Sequence, residues 1–443
     1  MSVRWLACGV LATSLIAASI RPAAAFCGFY VGKADAGLFN QASQVILVRD
    51  GNRTVISMLN DYKGSLDEFA LVVPVPQVLQ REQIHVGDKK LFEHIDAYSA
   101  PRLAEYHDDN PCMRRKYELE LRGLAAPAAR DTAQFAKERQ RSLGVTVEAS
   151  YQVGEYDILI LGATQSDGLE TWLVQNGYRI PKNASRALKP YIRQKMKFFV
   201  AKVNLKEQAR TGLNFLRPLQ FAFESEKFML PLRLGMINGN GAQDLIAYVL
   251  TRNGRVESTN YRTLKLPANM DVPVYLRDEF SGFYKAMFEH QAQVEDYRVV
   301  FTEYFWDMSW CDPCAADPLN PDEMRAAGVF WLDDAMRGRG GANPVMLTRL
   351  HVRYTPRNFP EDLMFQETGD RSNFQARYVL RHAWPGKADE CPEAKLYFEQ
   401  VAKRQSQEAQ VLAELTGWDL NRIRSRMDLQ PLEKQAWWKG LWR

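Results

Sequence analysis

The chain has 443 residues, with 57 lysines and arginines against 53 aspartates and glutamates; 46% of it is hydrophobic, 11% aromatic and 25% charged. These proportions exclude a disordered tail protein and a collagen-like repeat, and a net charge of +4 gives no reason to expect nucleic acid as a partner. The length accommodates roughly two or three domains with substantial cores, and no internal stretch approaches the roughly 20 apolar residues of a membrane-spanning helix.

The first 25 residues read as a secretory signal. Met1-Ser2-Val3-Arg4 is a short basic start, Trp5 to Ile20 is apolar, and Arg21-Pro22-Ala23-Ala24-Ala25 ends in a small-x-small site. Cleavage after Ala25 makes Phe26 the mature N-terminus, and an extracytoplasmic location follows, periplasmic or secreted. A lipoprotein is not expected, since Phe26 precedes Cys27 where a small residue is needed. Losing Arg4 and Arg21 takes the net charge from +4 to +2.

The mature pattern alternates strands and helices. Gln44 to Arg49 and Thr54 to Leu59 form a predicted hairpin around Asp50-Gly51, where glycine accepts the positive φ of the turn. Phe69 to Val73 reads as a buried strand ended by Pro74 and Pro76. Asp88 caps a predicted helix carrying Leu91, Phe92, Ile95 and Tyr98 at helical spacing. Arg114 to Arg141 is charged and alanine-rich, consistent with an exposed helix and connector. Tyr156 to Leu161 is a continuous apolar strand, followed by a Ser166-capped helix, a second helix near Ala184 to Gln194, and a strand at Lys197 to Ala201. That order suggests a βαβ-like unit without a glycine-rich phosphate loop.

From Leu216 the pattern becomes β-rich. Leu219, Phe221 and Phe223 alternate, then Phe228, Leu230, Leu232, Leu234 and Met236, and then Leu245 to Leu250 follows; alternation over three neighbouring segments predicts an antiparallel sheet with one face buried. A helix near Gly282 to Gln293 leads to a strand at Tyr297 to Trp306, with later strands at Met346 to Tyr354 and Phe374 to His382. Beyond Cys391 the chain is helical. The expected fold class is α+β, with largely antiparallel sheets, interspersed helices and a helical C-terminal segment. The expected divisions are a signal (1–25), an N-terminal α/β subdomain (26–205), a β-rich subdomain containing Cys-x-x-Cys (206–390) and a helical basic end (391–443).

Export changes how the cysteines read. Cys8 leaves with the signal, and Cys27, Cys112, Cys311, Cys314 and Cys391 remain. In an oxidising compartment such residues pair, and an odd number leaves one over. Connectivity does not follow from spacing; a Cys27–Cys112 bridge is favoured, with a second drawn from Cys311, Cys314 and Cys391.

Trp310-Cys311-Asp312-Pro313-Cys314 is the one motif with chemical content. Two cysteines two residues apart can close a small ring, and the second can resolve a mixed disulfide made by the first. The setting resembles the active site of thioredoxin: a strand runs into an aromatic residue and Cys-x-Pro-Cys, and Asn343-Pro344 follows downstream. Pro318 and Pro321 oppose it, because they interrupt the helix whose N-terminus would lower the thiol pKa. The acidic neighbours Asp307, Asp312 and Asp317 raise that pKa by like-charge repulsion. A structural disulfide is the expected role. A zinc half-site would need Cys391 with His351 or His382, and no second paired spacing supports it.

The six histidines (His85, His94, His107, His290, His351, His382) are scattered, and His351 and His382 sit on predicted strands, where a satisfied sheet residue is the ordinary reading. No serine-hydrolase elbow, zinc-protease helix or P-loop occurs, and His107-Asp108-Asp109-Asn110 reads as a solvated loop. No cofactor and no metal are implied. From Asn421 to Arg443 six basic residues outnumber two acidic ones, and Trp437, Trp438 and Trp442 lie among them. That mixture favours a membrane–water interface, although tryptophans packed on the body are the plainer alternative.

Cys27-Gly28, Phe69-Ala70-Leu71-Val72-Val73-Pro74-Val75-Pro76, Met196 to Val203, Cys311 to Cys314 and Leu347 to Leu350 resemble, in that order, segments of the domain of unknown function 2330 family of exported bacterial proteins. The resemblance runs from about Phe26 to Trp384. It implies a bacterial extracytoplasmic protein and assigns no catalytic residue. The expected function is therefore non-enzymatic binding or envelope association with an unknown protein partner. The alternatives are a thiol–disulfide oxidoreductase using Cys311 and Cys314, and an unrecognised hydrolase.

Overall fold

Val45-Ile46-Leu47-Val48 is apolar at every position, and each of these side chains is almost fully buried. A strand with no polar face needs cover on both sides, and the architecture supplies it. A computed structural model describes residues 29–32, 39–63, 69–113, 146–163, 166–176, 184–213, 215–237, 242–310, 316–332 and 345–429, and the statements below concern those residues.

The main sheet has the order β14 (Arg262–Lys265), β16 (Val299–Asp307), β17 (Met346–Tyr354), β12 (Gln243–Thr251), β2 (Phe39–Asp50), β3 (Arg53–Lys63), β10 (Leu219–Glu224) and β5 (Ile84–Val86), with β19 (Phe374–Gln375) also paired to β16. A second, wholly antiparallel sheet has the order β1 (Phe29–Gly32), β4 (Phe69–Val75), β9 (Lys197–Val203), β8 (Tyr156–Gly162) and β7 (Thr146–Val153). Leu47, Ile56 and Val249 of the main sheet pack against Leu71, Ile158 and Phe199 of the second. The outer face of the second sheet is covered by α2 (Ser166–Gln175) and α3 (Ala184–Arg193), through Leu169, Leu173, Leu188 and Tyr191. The outer face of the main sheet is covered by α1 (Lys89–Ser99), α5 (Phe280–Val294) and α6 (Pro321–Ala327). The result is four layers, helix–sheet–sheet–helix.

Two small sheets flank these layers: β11 (Met229–Leu230), β18 (Leu363–Glu367) and β13 (Val256–Ser258); and β15 (Met270–Asp271), β20 (Arg377–His382) and β6 (Arg102–His107). A short α4 (Leu205–Thr211) follows β9, and α7 (Pro392–Thr416) with α8 (Leu420–Ser425) packs on α5 through Ala409, Leu412 and Ile423.

The α+β class with largely antiparallel sheets is as the sequence predicts, and so are several elements. Gly51 takes φ +56° in the β2–β3 turn. The Asp88 side chain accepts from the Lys90 amide at 2.9 Å and caps α1. The main sheet draws strands from both sides of residue 205.

Three expectations need correction. β8 and β9 are antiparallel neighbours, not part of a βαβ unit: two helices fill the connection and the chain re-enters the sheet at the end it left, with Lys197 beside Gly162. Along the alternation from Phe228 to Met236 the leucines are buried, but only Met229–Leu230 pairs, with β18, and the chain then turns into a 3-10 helix at Gly235–Ile237. β10 and β12 are not neighbours, since the β2–β3 hairpin lies between them and β12 pairs with β2 in parallel.

A further correction concerns the disulfide. Cys112 is bonded to Cys391, with Cα atoms 6.0 Å apart, and so not to Cys27. β6 and β20 run parallel in register, ending at His107 and His382. Their continuations emerge at the same end, which brings Cys112 to the N-cap of α7. Cys27, Cys311 and Cys314 lie outside the described residues, as do the signal segment, Arg114 to Arg141, Pro344 and the three C-terminal tryptophans.

Candidate functional site

An acidic residue stands in the middle of the most apolar part of β16. Glu303 is fully buried. The pairing of β16 with β17 slips between Thr302 and Tyr304, a bulge that leaves Glu303 as the extra residue. Val299 and Phe301 before the bulge, and Tyr304 and Met308 after it, pack on the helix-covered side. Glu303 thus continues the alternation of Val299 and Phe301 on that face, and the bulge shifts the phase by one residue so that Tyr304 and Met308 face it as well.

On the neighbouring strand Arg349, His351 and Arg353 alternate along one face, and Asp244 of β12 joins them. Arg349 Nε donates to Glu303 Oε2 at 2.5 Å, and His351 Nδ1 lies 2.6 Å from Glu303 Oε1. The hydroxyl of Tyr284, from α5, donates to the same oxygen. Arg353 grips Asp244 with two donors at 2.8 and 2.7 Å and reaches Glu289 of α5. Arg349 Nη1 donates to Asp96 of α1 at 2.6 Å, as does Tyr248 OH. The His351 ring stacks on Phe288 with centroids 3.7 Å apart.

Burial alone would raise the Glu303 pKa, but the charges of His351 and Arg349 outweigh it and hold the carboxyl at about 2. Burial would likewise lower His351, yet Glu303 and Asp244 raise it to about 9. Asp244 is held well below the carboxylate range, against the effect of burial, by His351 and Arg353. At neutral pH the cluster is a set of ion pairs closed over by α1 and α5.

A cavity lies elsewhere among the described residues. A groove of ≈ 500 Å³ lies at the β3–β10–β5 edge under α6, lined among others by Glu82, His85, Gln220, Arg325 and Phe330. Its floor is fixed: Gln220 Nε2 donates to Ser57 Oγ at 2.7 Å and to the Ala326 carbonyl at 3.0 Å, and Gln83 Nε2 donates to the Ala222 carbonyl at 2.8 Å. Its wall depends on Gly328, the C-cap of α6, at φ +100°. A Cβ there would come within 2.6 Å of Val55 Cγ1, so glycine lets the chain pass close and present Phe330, which is 41% exposed. Arg53 sits over the Phe330 ring at 5.9 Å.

His94 joins α1 to this wall, with Nδ1 2.8 Å from Glu323 of α6 and Nε2 2.9 Å from the Asp317 carbonyl. The segment after Cys-x-x-Cys is thus held to α1, and its helix begins only at Pro321, capped by Asn320. Before the motif, Trp310 is 49% exposed and packs edge-on against Trp306. Asp307, one of the three acidic neighbours, is paired with Arg371, so its repulsive effect on the motif is weaker than the sequence suggests.

The histidines do not converge. His107 and His382 stack at 4.4 Å, with His382 also 2.7 Å from Glu105, whereas His85 lies in the groove and His351 in the cluster. Cys391 is spent in a disulfide, which removes it as a zinc ligand, and among the described residues no group of three or more His, Cys, Asp or Glu side chains could hold a metal.

The layers and small sheets define a mixed α+β protein with largely antiparallel pairing. The chain belongs to the bacterial family described as "Uncharacterized protein conserved in bacteria (DUF2330)", whose model matches residues 21–366. No curated protein and no solved structure matches the chain.

Proposed function

We propose that this is an exported bacterial protein that binds a ligand or partner without transforming it, through the groove beneath α6. The carrying observation is that the groove and the charged cluster share no residue. An active site places its perturbed titratable groups in a cleft. Here the perturbed groups of the cluster are consumed by one another, and the groove carries mixed polar and apolar contacts suited to recognition.

Export rests on the basic, apolar and alanine-rich order of the first 25 residues, and the basic, tryptophan-containing tail supports contact with an anionic membrane surface. In this reading Cys311 and Cys314 hold structure. The start of α6 at Pro321 supports that role, since the N-terminus of that helix lies well past Cys314 in the chain and is not placed at the motif to stabilise a thiolate.

The test is native mass spectrometry of the mature chain after incubation with small-molecule extract of bacterial envelopes. The expected result is a species retained at one per chain by wild type and lost by the groove-filling His85→Trp. Identical spectra for the two proteins would remove the groove from the reading. Insulin reduction by wild type, abolished in folded Cys311→Ser, would instead make the protein a thiol–disulfide enzyme.

A further inference from the structure

The seam between α7 and the β15–β20–β6 sheet carries an unbalanced charge. Three carboxylates meet there, Glu408 of α7, Asp271 of β15 and Asp108 just past β6, and two guanidiniums face them, Arg404 of α7 and Arg381 of β20. Arg381 is committed to Asp271, with Nε 3.1 Å from each carboxylate oxygen. Arg404 is committed to Asp108 through Nη2 at 2.8 Å, while its Nε makes no hydrogen bond. Asp108 also accepts from Tyr397 OH at 2.7 Å.

Glu408 is left with the remainder. Its side chain is 3% exposed, Arg404 Nε lies 3.4 Å away, and Oε1 accepts no hydrogen bond. A buried carboxylate in that position is costly as an anion and acceptable as an acid.

We propose that α7 docks through a proton held on Glu408, so that the C-terminal helix closes on this sheet at acidic pH and loosens as the pH rises. The Cys112–Cys391 bond keeps its first turn tethered throughout. Burial, only partly offset by Arg404, raises the Glu408 pKa from 4.5 to about 7. A folded-state pKa above the unfolded one means that the docked helix binds the proton more tightly. The penalty is therefore absent below 4.5, grows between 4.5 and 7, and is complete above that range.

The experiment is amide hydrogen exchange on the full mature chain, with protection factors for 405–416 measured at pH 5 and pH 7 in wild type and Glu408→Gln. Wild-type protection should fall roughly tenfold or more across that interval, and the glutamine, a neutral mimic of the protonated acid, should flatten the dependence. A carboxyl ¹³C titration of Glu408 in wild type gives an independent reading, with a midpoint above pH 5 expected. Equal falls in the two proteins, pH-independent protection in wild type, or a midpoint at or below 5 would each overturn the proposal.

Discussion

Glu303 shows what a single buried charge demands. Its carboxylate is fully enclosed and shared by Arg349, His351 and Tyr284, so Glu303→Gln leaves two cationic groups buried around a neutral amide. The expected loss is roughly 3–5 kcal/mol in denaturant unfolding. Asp96 sits at the exposed end of the same network, with its side chain 38% accessible, and Asp96→Asn should cost under about 1 kcal/mol. The pH dependence has a definite sign. His351 carries a folded pKa of about 9 against 6.5, so its stabilisation is complete below 6.5 and is lost as the pH rises through 9. Glu303, at about 2 against 4.5, contributes fully above 4.5 and loses that contribution as the pH falls through 2. Chemical denaturation across pH 2 to 10 should show both limbs in wild type and a flattened acid limb in Glu303→Gln. A profile unchanged by the substitution would separate the cluster from stability.

At the scale of elements, two glycines in left-handed backbone make a controlled comparison. Gly212, the C-cap of α4, has φ +67° and nothing within 4 Å of a built Cβ, whereas Gly328 has φ +100° and a Cβ would strike Val55. Gly212→Ala should cost about 1 kcal/mol, the left-handed penalty alone. Gly328→Ala adds displacement of β3 and should cost more in urea unfolding; equal costs would show that Val55 yields freely. The same elements show what the sequence can carry. The β2–β3 hairpin, α1 and α7 are legible because turn glycine, capping aspartate and helical spacing are local signals. Leu230, Leu232 and Leu234 mislead because a buried segment can alternate without joining a ladder: only Leu230 pairs, and Leu234 lies in a turn before a 3-10 helix. The parallel pairing of β2 with β12 is invisible, since periodicity reports which face is buried and not which strand lies alongside. The charged cluster was half legible: Glu303 inside an apolar run and the alternation Arg349, His351, Arg353 are visible, but their meeting depends on sheet order and a one-residue bulge.

For the whole molecule, the Cys112–Cys391 bond ties residues 279 positions apart and fastens α7 to the small sheet beside β6. Chain-entropy arguments give about 5 kcal/mol for so long a loop, and measured losses on removing native bridges run about 2–5 kcal/mol. Cys391→Ser should lower stability within that range. It should also raise exchange in the first turns of α7, which no longer have an anchor beside Cys112. Unchanged protection there would mean that Ala394, Val401 and the contacts to α5 hold the helix without help.

That bond also sets a schedule. Synthesis proceeds at about 5–20 residues per second, so Cys112 waits on the order of 15–60 s for its partner. If the chain is exported as we propose, Cys27 is already present and Cys311 and Cys314 arrive before Cys391, so each competes for Cys112. What selects Cys391 is the late docking of β20 alongside β6, which carries the correct thiol to the correct place. The native bridge is therefore a record that the last strand has found its neighbour, and chains halted before His382 should accumulate mispaired cysteines.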